Sequence, residues 1–304
     1  MANTVRILDG GMGRELQRIG APFRQPEWSA LALIEAPEFV ERAHSAFAEA
    51  GADVLTTNSY AVVPFHIGEE RFAAQGQDLA ARAGAAARRV ADRFGATVAG
   101  SLPPVFGSYR PDLFDAAQVG AILRVLIAGL APHVDHWLAE TQSAIAEAVA
   151  VRQALGDDPR PLWLSFTLDD TAAEEVAAGR VPPTLRSGER VADAAEAARD
   201  LGAAALLFNC SQPEVMQAAV REARATLGEV SGITIGVYAN AFPPQPKTAK
   251  ANDGLDPIRE DLDPPNYLTW ATRWVDSGAG IVGGCCGIGP DHIAALAQNL
   301  KRAG

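Results

Sequence analysis

Short apolar runs and longer amphipathic stretches alternate along the whole chain. The apolar runs fall at residues 5–9, 53–57, 97–100, 133–138, 162–166, 203–208, 233–238 and 279–282. Their hydrophobic positions are nearly continuous, not alternating, which is the pattern of strands buried on both faces of a parallel sheet. Between them, apolar residues return at helical spacing. The first such stretch covers about residues 37–50, with Phe39, Ala43, Phe47 and Ala50 on one face. Further helices are predicted at about 71–94, 116–131, 143–155, 190–201, 213–227, 267–276 and 290–301. The helix at 213 opens with proline, a favoured first position.

Eight strand–helix units predict a single (β/α)8 TIM barrel, an α/β fold with residues 1–304 as one domain. A doubly wound open sheet shares the same alternation and is the alternative. No Gly-x-Gly-x-x-Gly opens a helix after the first strand, which weighs against dinucleotide binding. Two connections are long, residues 167–189 after the fifth strand and 239–266 after the seventh. Both lie at the C-terminal ends of strands, where barrels carry their active sites. Connections of this length serve as lids or lack structure.

The barrel makes distant residues neighbours. Asp9 ends the first strand, Thr57 the second, Glu140 follows the fourth, Cys210 the sixth and Asn240 the seventh, and Cys285 and Cys286 follow the eighth. All would face one mouth, and polar residues there read as catalytic. Asp9 has a plainer alternative as a cap for the helix after Gly13.

The cysteines sharpen this picture. The chain has three, and each stands at the end of an apolar run, in Asn209-Cys210-Ser211 and Gly283-Gly284-Cys285-Cys286-Gly287. Flanking glycines remove the Cβ clash that would stop adjacent thiols from turning to one point. Three thiolates suit a soft tetrahedral ion, and zinc with three protein ligands keeps a fourth position open. Each cysteine alone also fits a small buried hydrophobe. His133 and His136 flank the fourth strand, while His44, His66 and His292 are scattered. We read them as structural, because three cysteines already complete an open site. The lysines Lys247, Lys250 and Lys301 end no strand, which weighs against a Schiff-base aldolase.

Composition narrows the setting. Net charge is −11, from 37 acidic against 26 basic residues, which argues against nucleic acid or an anionic membrane as partner. There is no apolar span of transmembrane length, and residues 1–6 lack the features of a signal peptide. A cytoplasmic, reducing location is expected, where cysteines favour metal or catalysis over disulfides. The oligomeric state is left open, a homodimer included.

The pairing of Asn209-Cys210 with Gly283-Gly284-Cys285-Cys286-Gly287 resembles the zinc signature of the homocysteine S-methyltransferase family. The opening Leu8-Asp9-Gly10-Gly11-Met12-Gly13-Arg14-Glu15-Leu16 is similar to that family's first-strand motif. Thr56-Thr57-Asn58-Ser59-Tyr60, Glu140-Thr141 and Ser165-Phe166-Thr167 also match, so the resemblance spans nearly the whole chain. It implies Zn²⁺ on Cys210, Cys285 and Cys286, and methyl transfer from a sulfonium donor to the thiol of homocysteine, giving methionine. The donor would be S-methylmethionine or S-adenosylmethionine. It implies that Glu140, helped by Asp9, receives the homocysteine ammonium. The carboxylate would suit N–H groups of the Gly10-Gly11 turn or the hydroxyls of Thr57 and Ser165, and Asn240 joins the substrate-binding set. Trp28 stands in Glu27-Trp28-Ser29-Ala30, which is similar to the family's sulfonium-using members.

Aromatic faces can hold a sulfonium by cation–π attraction, and Trp28, Tyr60, Phe65, Phe106 and Tyr109 fall in predicted loops near the mouth. Ordinary packing of the rim is the alternative for each. Residues 100–109 depart from the family, because Leu102-Pro103-Pro104 replaces a glycine-rich segment. That departure keeps betaine as donor, a selenol or other thiol acceptor, and a non-catalytic zinc- or thiol-binding barrel in view.

Overall fold

The structure is a computed structural model, and it describes residues 5–228, 231–243 and 257–301. Lys247, Lys250 and much of the connection after the seventh strand lie outside the described residues. Eight strands form: β1 (Arg6–Ile7), β2 (Val54–Thr56), β3 (Thr97–Leu102), β4 (His136–Gln142), β5 (Leu162–Phe166), β6 (Ala205–Asn209), β7 (Thr234–Tyr238) and β8 (Ile281–Val282). They make one sheet in the order β1-β8-β7-β6-β5-β4-β3-β2, and every ladder is parallel. The ends of that order also meet. Asp9 N–H donates to Val54 O at 3.0 Å, Asp53 N–H donates to Ile7 O at 2.7 Å, and Leu8 bridges Val54. The sheet is therefore a barrel, and the open-sheet alternative is excluded.

Strand alternation sorts the core. Leu8, Val54, Ala99, Leu138, Trp163, Ala205, Leu207, Tyr238 and Ile281 pack together inside the barrel. The intervening Ile7, Leu55, Val98, Trp137, Leu164, Leu206, Val237 and Val282 pack outward against the helices.

The fourth strand differs from the sequence reading, which placed it at 133–138. Pro132 and His133 belong to the turn that closes helix Val119–Leu130, where His133 N–H donates to Leu130 O at 2.9 Å. Pairing begins where His136 meets Ala99 and runs on through Glu140 and Thr141 to Gln142. The polar residues stay in the strand because their polar atoms are used within the barrel; Gln142 Nε2, for one, donates to Leu102 O at 3.1 Å.

The helix expected after Gly13 forms at Met12–Arg18, while helices Ser29–Glu35, Pro64–Ile67 and Ala173–Ala177 were not foreseen, being too short for a helical period to show. Helix Pro264–Asp276 starts before the expected 267, because Asp263 caps it by accepting from Asn266 N–H at 3.0 Å and two prolines fill its first turn. The 167–189 connection folds back on itself through the bridges Leu168–Leu185 and Thr184–Arg190.

Candidate active site

Two residues beyond the apolar interior, the barrel lining turns polar. Thr56, Ser101, Glu140, Ser165, Asn209 and Tyr238 occupy the inward positions at the C-terminal ends of their strands. Ser101 Oγ donates to the Glu140 carboxylate, and the Tyr238 hydroxyl faces Glu140 and Ser165. Asp9 accepts from Thr56 N–H at 2.7 Å and from Thr56 Oγ1 at 2.9 Å. It does not cap the following helix, whose N-cap residue Gly11 has no side-chain partner. Ser165 Oγ donates to Asn209 Oδ1 at 2.7 Å, and Asn209 Nδ2 donates to Thr141 Oγ1 at 2.8 Å.

Glycines let the first and last loops touch. A Cβ at Gly11 would sit 2.5 Å from the Cys285 carbonyl oxygen, and one at Gly284 would sit 2.1 Å from Ile288 Cγ2. Gly11 N–H donates to Ile288 O at 2.9 Å, and Gly284 N–H donates to Asp9 O at 3.0 Å. The Gly11 N–H expected to meet a substrate carboxylate is thus already used to hold the cysteine loop. Gly11→Ala is expected to cost about 1–3 kcal/mol, the usual range for overpacking. Urea unfolding checks this, and an unchanged midpoint would mean the two loops do not meet.

All three cysteine sulfurs converge, lying within 4.8 Å of one another. Cys285 N–H donates to Ala239 O at 2.9 Å and Ala241 N–H donates to Cys286 O at 2.8 Å, so the end of β7 positions the pair. Cys210 and Cys285 are joined as a disulfide with Cα atoms 5.7 Å apart, and Cys286 is not part of it. The sequence reading favoured metal or catalysis over a disulfide. Sulfurs brought this close can pair when oxidised, and when reduced they offer three thiolates to one ion. Zinc–sulfur bonds of about 2.3 Å in a tetrahedron need sulfurs just under about 4 Å apart, so the set fits that ion after small adjustments.

The sulfurs open into a cavity of about 200 Å³. Asp9, Gly10, Gly11, Trp28, Thr57 and Glu140 line it with the three cysteines. The Thr57 hydroxyl is spent on Ser101 N–H, at 3.0 Å, and on Ser59. Ser165 and Asn240 stand behind the lining. Ser165 holds Asn209, and Asn240 Oδ1 accepts from Phe242 N–H at 3.3 Å. Of the aromatic candidates, Tyr60 and Tyr109 join Trp28 in the lining, while Phe65 and Phe106 pack against the core instead. Met12, His66, Tyr238 and Phe242 line the cavity too and were not singled out beforehand. His66 had been grouped with structural histidines. Only the barrel register could have selected Tyr238.

Charge in the cavity is one-sided. Its described lining includes two carboxyl groups and neither lysine nor arginine. Burial pushes the Asp9 carboxyl up to about 8, opposed by the Thr56 hydrogen bonds and aided by the nearby Glu140. Burial likewise pushes Glu140 up to about 7, against the hydrogen bond from Ser101. Among the described residues, four non-glycine residues have left-handed φ: Trp28 (48°), Tyr109 (65°), Thr141 (59°) and Cys210 (49°). All four line this cavity. Backbone strain of this kind gathers at functional sites.

Comparison with known proteins agrees with the geometry. The homocysteine S-methyltransferase family model matches residues 6–300. Homocysteine S-methyltransferase 1 of Arabidopsis thaliana is 27% identical, over 97% of this chain and 93% of its own. Selenocysteine Se-methyltransferase of Brassica oleracea is 26% identical, over 97% of this chain and 88% of its own. The metallated form of the homocysteine methyltransferase MmuM from Escherichia coli superposes with a TM-score of 0.76 at 26% identity, covering 98% of this chain and 96% of that one. Its oxidised form gives 0.77 at 25% identity with the same coverage. With its barrel, its three convergent thiols and a family match over nearly its full length, the chain belongs to the homocysteine S-methyltransferase family and is a methyltransferase.

Proposed function

We propose that this chain moves a methyl group from a sulfonium donor to the thiol of homocysteine, with Cys210, Cys285 and Cys286 holding Zn²⁺. The observation that carries this reading is the convergence of three sulfurs in an acidic cavity. When bound, zinc supplies a Lewis-acid position at which an incoming thiol, with an ordinary pKa near 8.5, is held as thiolate. Three thiolate ligands leave that position net negative, which keeps the acceptor sulfur electron-rich.

Residues of the chain do the rest. Glu140, ionised, receives the homocysteine ammonium, and Asp9 stands beside it. The acceptor lone pair forms the new S–CH₃ bond in line as the donor's S–CH₃ bond breaks. The breaking pair stays on the donor sulfur, which becomes a neutral thioether, and the thiol proton is released overall. Trp28 and Tyr60 offer faces for the cationic donor before its charge is lost.

The lining favours a cation over an anion. S-methylmethionine carries a net positive charge, whereas betaine is net neutral and a folate is polyanionic, and the described lining offers two carboxyl groups and neither lysine nor arginine. A reducing, cytoplasmic setting accords with thiolate ligands, and no helix among the described residues is long and apolar enough to cross a membrane.

The test is methionine formation by reduced, zinc-loaded protein. Homocysteine is the acceptor, and S-methylmethionine, S-adenosylmethionine and betaine are supplied separately. Turnover is expected to be greatest with a sulfonium donor. Fully loaded protein that makes no methionine from any of them would overturn the reading.

A further inference from the structure

The connection after β5 carries an ion pair that does not line the cavity. Arg186 and Asp170 are both buried, with side chains 1% and 0% exposed, and Arg186 Nη2 donates to Asp170 Oδ1 at 3.1 Å. Removing one partner of such a pair leaves an uncompensated charge in the interior, so the two stand or fall together.

Each end of the pair touches a wall of the thiol site. The Arg186 guanidinium lies 4.9 Å from the centre of the Tyr109 ring, and the Tyr109 hydroxyl donates to the Cys210 carbonyl at 3.4 Å. With one face already taken by a guanidinium, Tyr109 is a poorer platform for a second cation than Trp28 or Tyr60. The other Asp170 oxygen, Oδ2, accepts from Gln212 N–H at 3.2 Å, two residues past Cys210. Tyr109 and Cys210 both hold left-handed backbones, at φ 65° and 49°. Such conformations persist only where their surroundings over-determine them.

We infer that the Arg186–Asp170 pair is a positioning device for the thiol site. It fixes Tyr109 against the cavity and anchors the Cys210–Gln212 turn, so that the Cys210 sulfur stays converged with those of Cys285 and Cys286. This rests on the zinc–thiolate reading above. Arg186 and Asp170 act through Tyr109 and the turn and are positioning residues, not catalytic ones.

Two variants test it. Asp170→Leu combined with Arg186→Met removes both charges together, so no buried charge is left alone. Arg186→Lys keeps the charge but loses the planar group that stacks on Tyr109. Zinc affinity is read on reduced protein by competition with a chelating indicator, beside melting temperature, KM for homocysteine and kcat. The double variant is expected to bind zinc about 10–100-fold more weakly, the usual effect of losing outer support for metal ligands. Its KM is expected to rise more than its kcat falls. Arg186→Lys is expected to shift both quantities in the same direction by less, and it carries the test if the double variant does not fold. A folded variant with the parent's zinc affinity and KM would overturn the inference, whatever its melting temperature. A parent that takes up no zinc when reduced would instead remove the underlying reading, and this is seen before any variant is made.

Discussion

Serine at Cys210, Cys285 or Cys286 is expected to abolish stoichiometric zinc binding and, with it, methionine formation. Loss of groups that merely support metal ligands commonly costs 10–100-fold, so loss of a ligand itself should exceed about 100-fold in affinity. The barrel should survive. The three thiols stand in turns beyond β6 and β8, while the packed interior lies below them. Zinc release measured colorimetrically, with circular dichroism on the same samples, separates the two effects. Cys286→Ser is the most telling of the three. If the Cys210–Cys285 disulfide served only as a staple, changing the third cysteine would be neutral and reductant would weaken the parent. A ligand role predicts the reverse: reduction enables zinc uptake, and the third sulfur is indispensable. One full equivalent of zinc in any variant would sink the ligand set.

Glu140→Gln is expected to raise the KM for homocysteine by about 10–100-fold, from losing a charge-assisted hydrogen bond of about 1.5–3 kcal/mol. Zinc content should not change. The pH dependence carries the stronger signal. Burial pushes the Glu140 carboxyl from its ordinary 4.5 up to about 7. An ammonium needs the carboxylate form, so the parent's KM should fall as pH rises through about 7, and the variant should lack that limb. Stability moves the other way. A carboxyl whose pKa is raised by folding contributes stability that is fully present below about 4.5 and lost as pH rises through about 7. The glutamine variant, with no charge to bury, should therefore gain in melting temperature over the parent between pH 5 and 8. A KM that keeps its pH dependence in the variant would remove Glu140 from the ammonium site.

The barrel was legible because eight apolar runs at regular intervals leave few other solutions. The cysteines were legible because thiols at glycine-framed strand ends are rarely needed for packing. What the sequence hid depended on register. Tyr238 is an ordinary residue ending an apolar strand, and only its inward position at the rim gives it a role. Glu140 marked the expected end of β4, yet it lies within the strand, because a polar layer inside a barrel looks like a strand end when read as hydropathy. The Gly10-Gly11 turn was expected to bind substrate. Gly11 instead makes room for the cysteine loop, a contact between residues far apart in the chain that no local pattern reveals.

The four left-handed residues limit how far this enzyme can be hardened against heat. For residues with a Cβ, such a backbone costs of order 1–3 kcal/mol each, and glycine would relax it at positions 28, 109, 141 and 210. Every one of those exchanges would also delete a side chain that faces the cavity. A directed-evolution campaign scored on thermal survival alone would drift toward glycine at these four positions and lose turnover as it did so. Selection for durability therefore has to be paired with selection for methyl transfer, or confined to the outer helices, where the two demands do not compete.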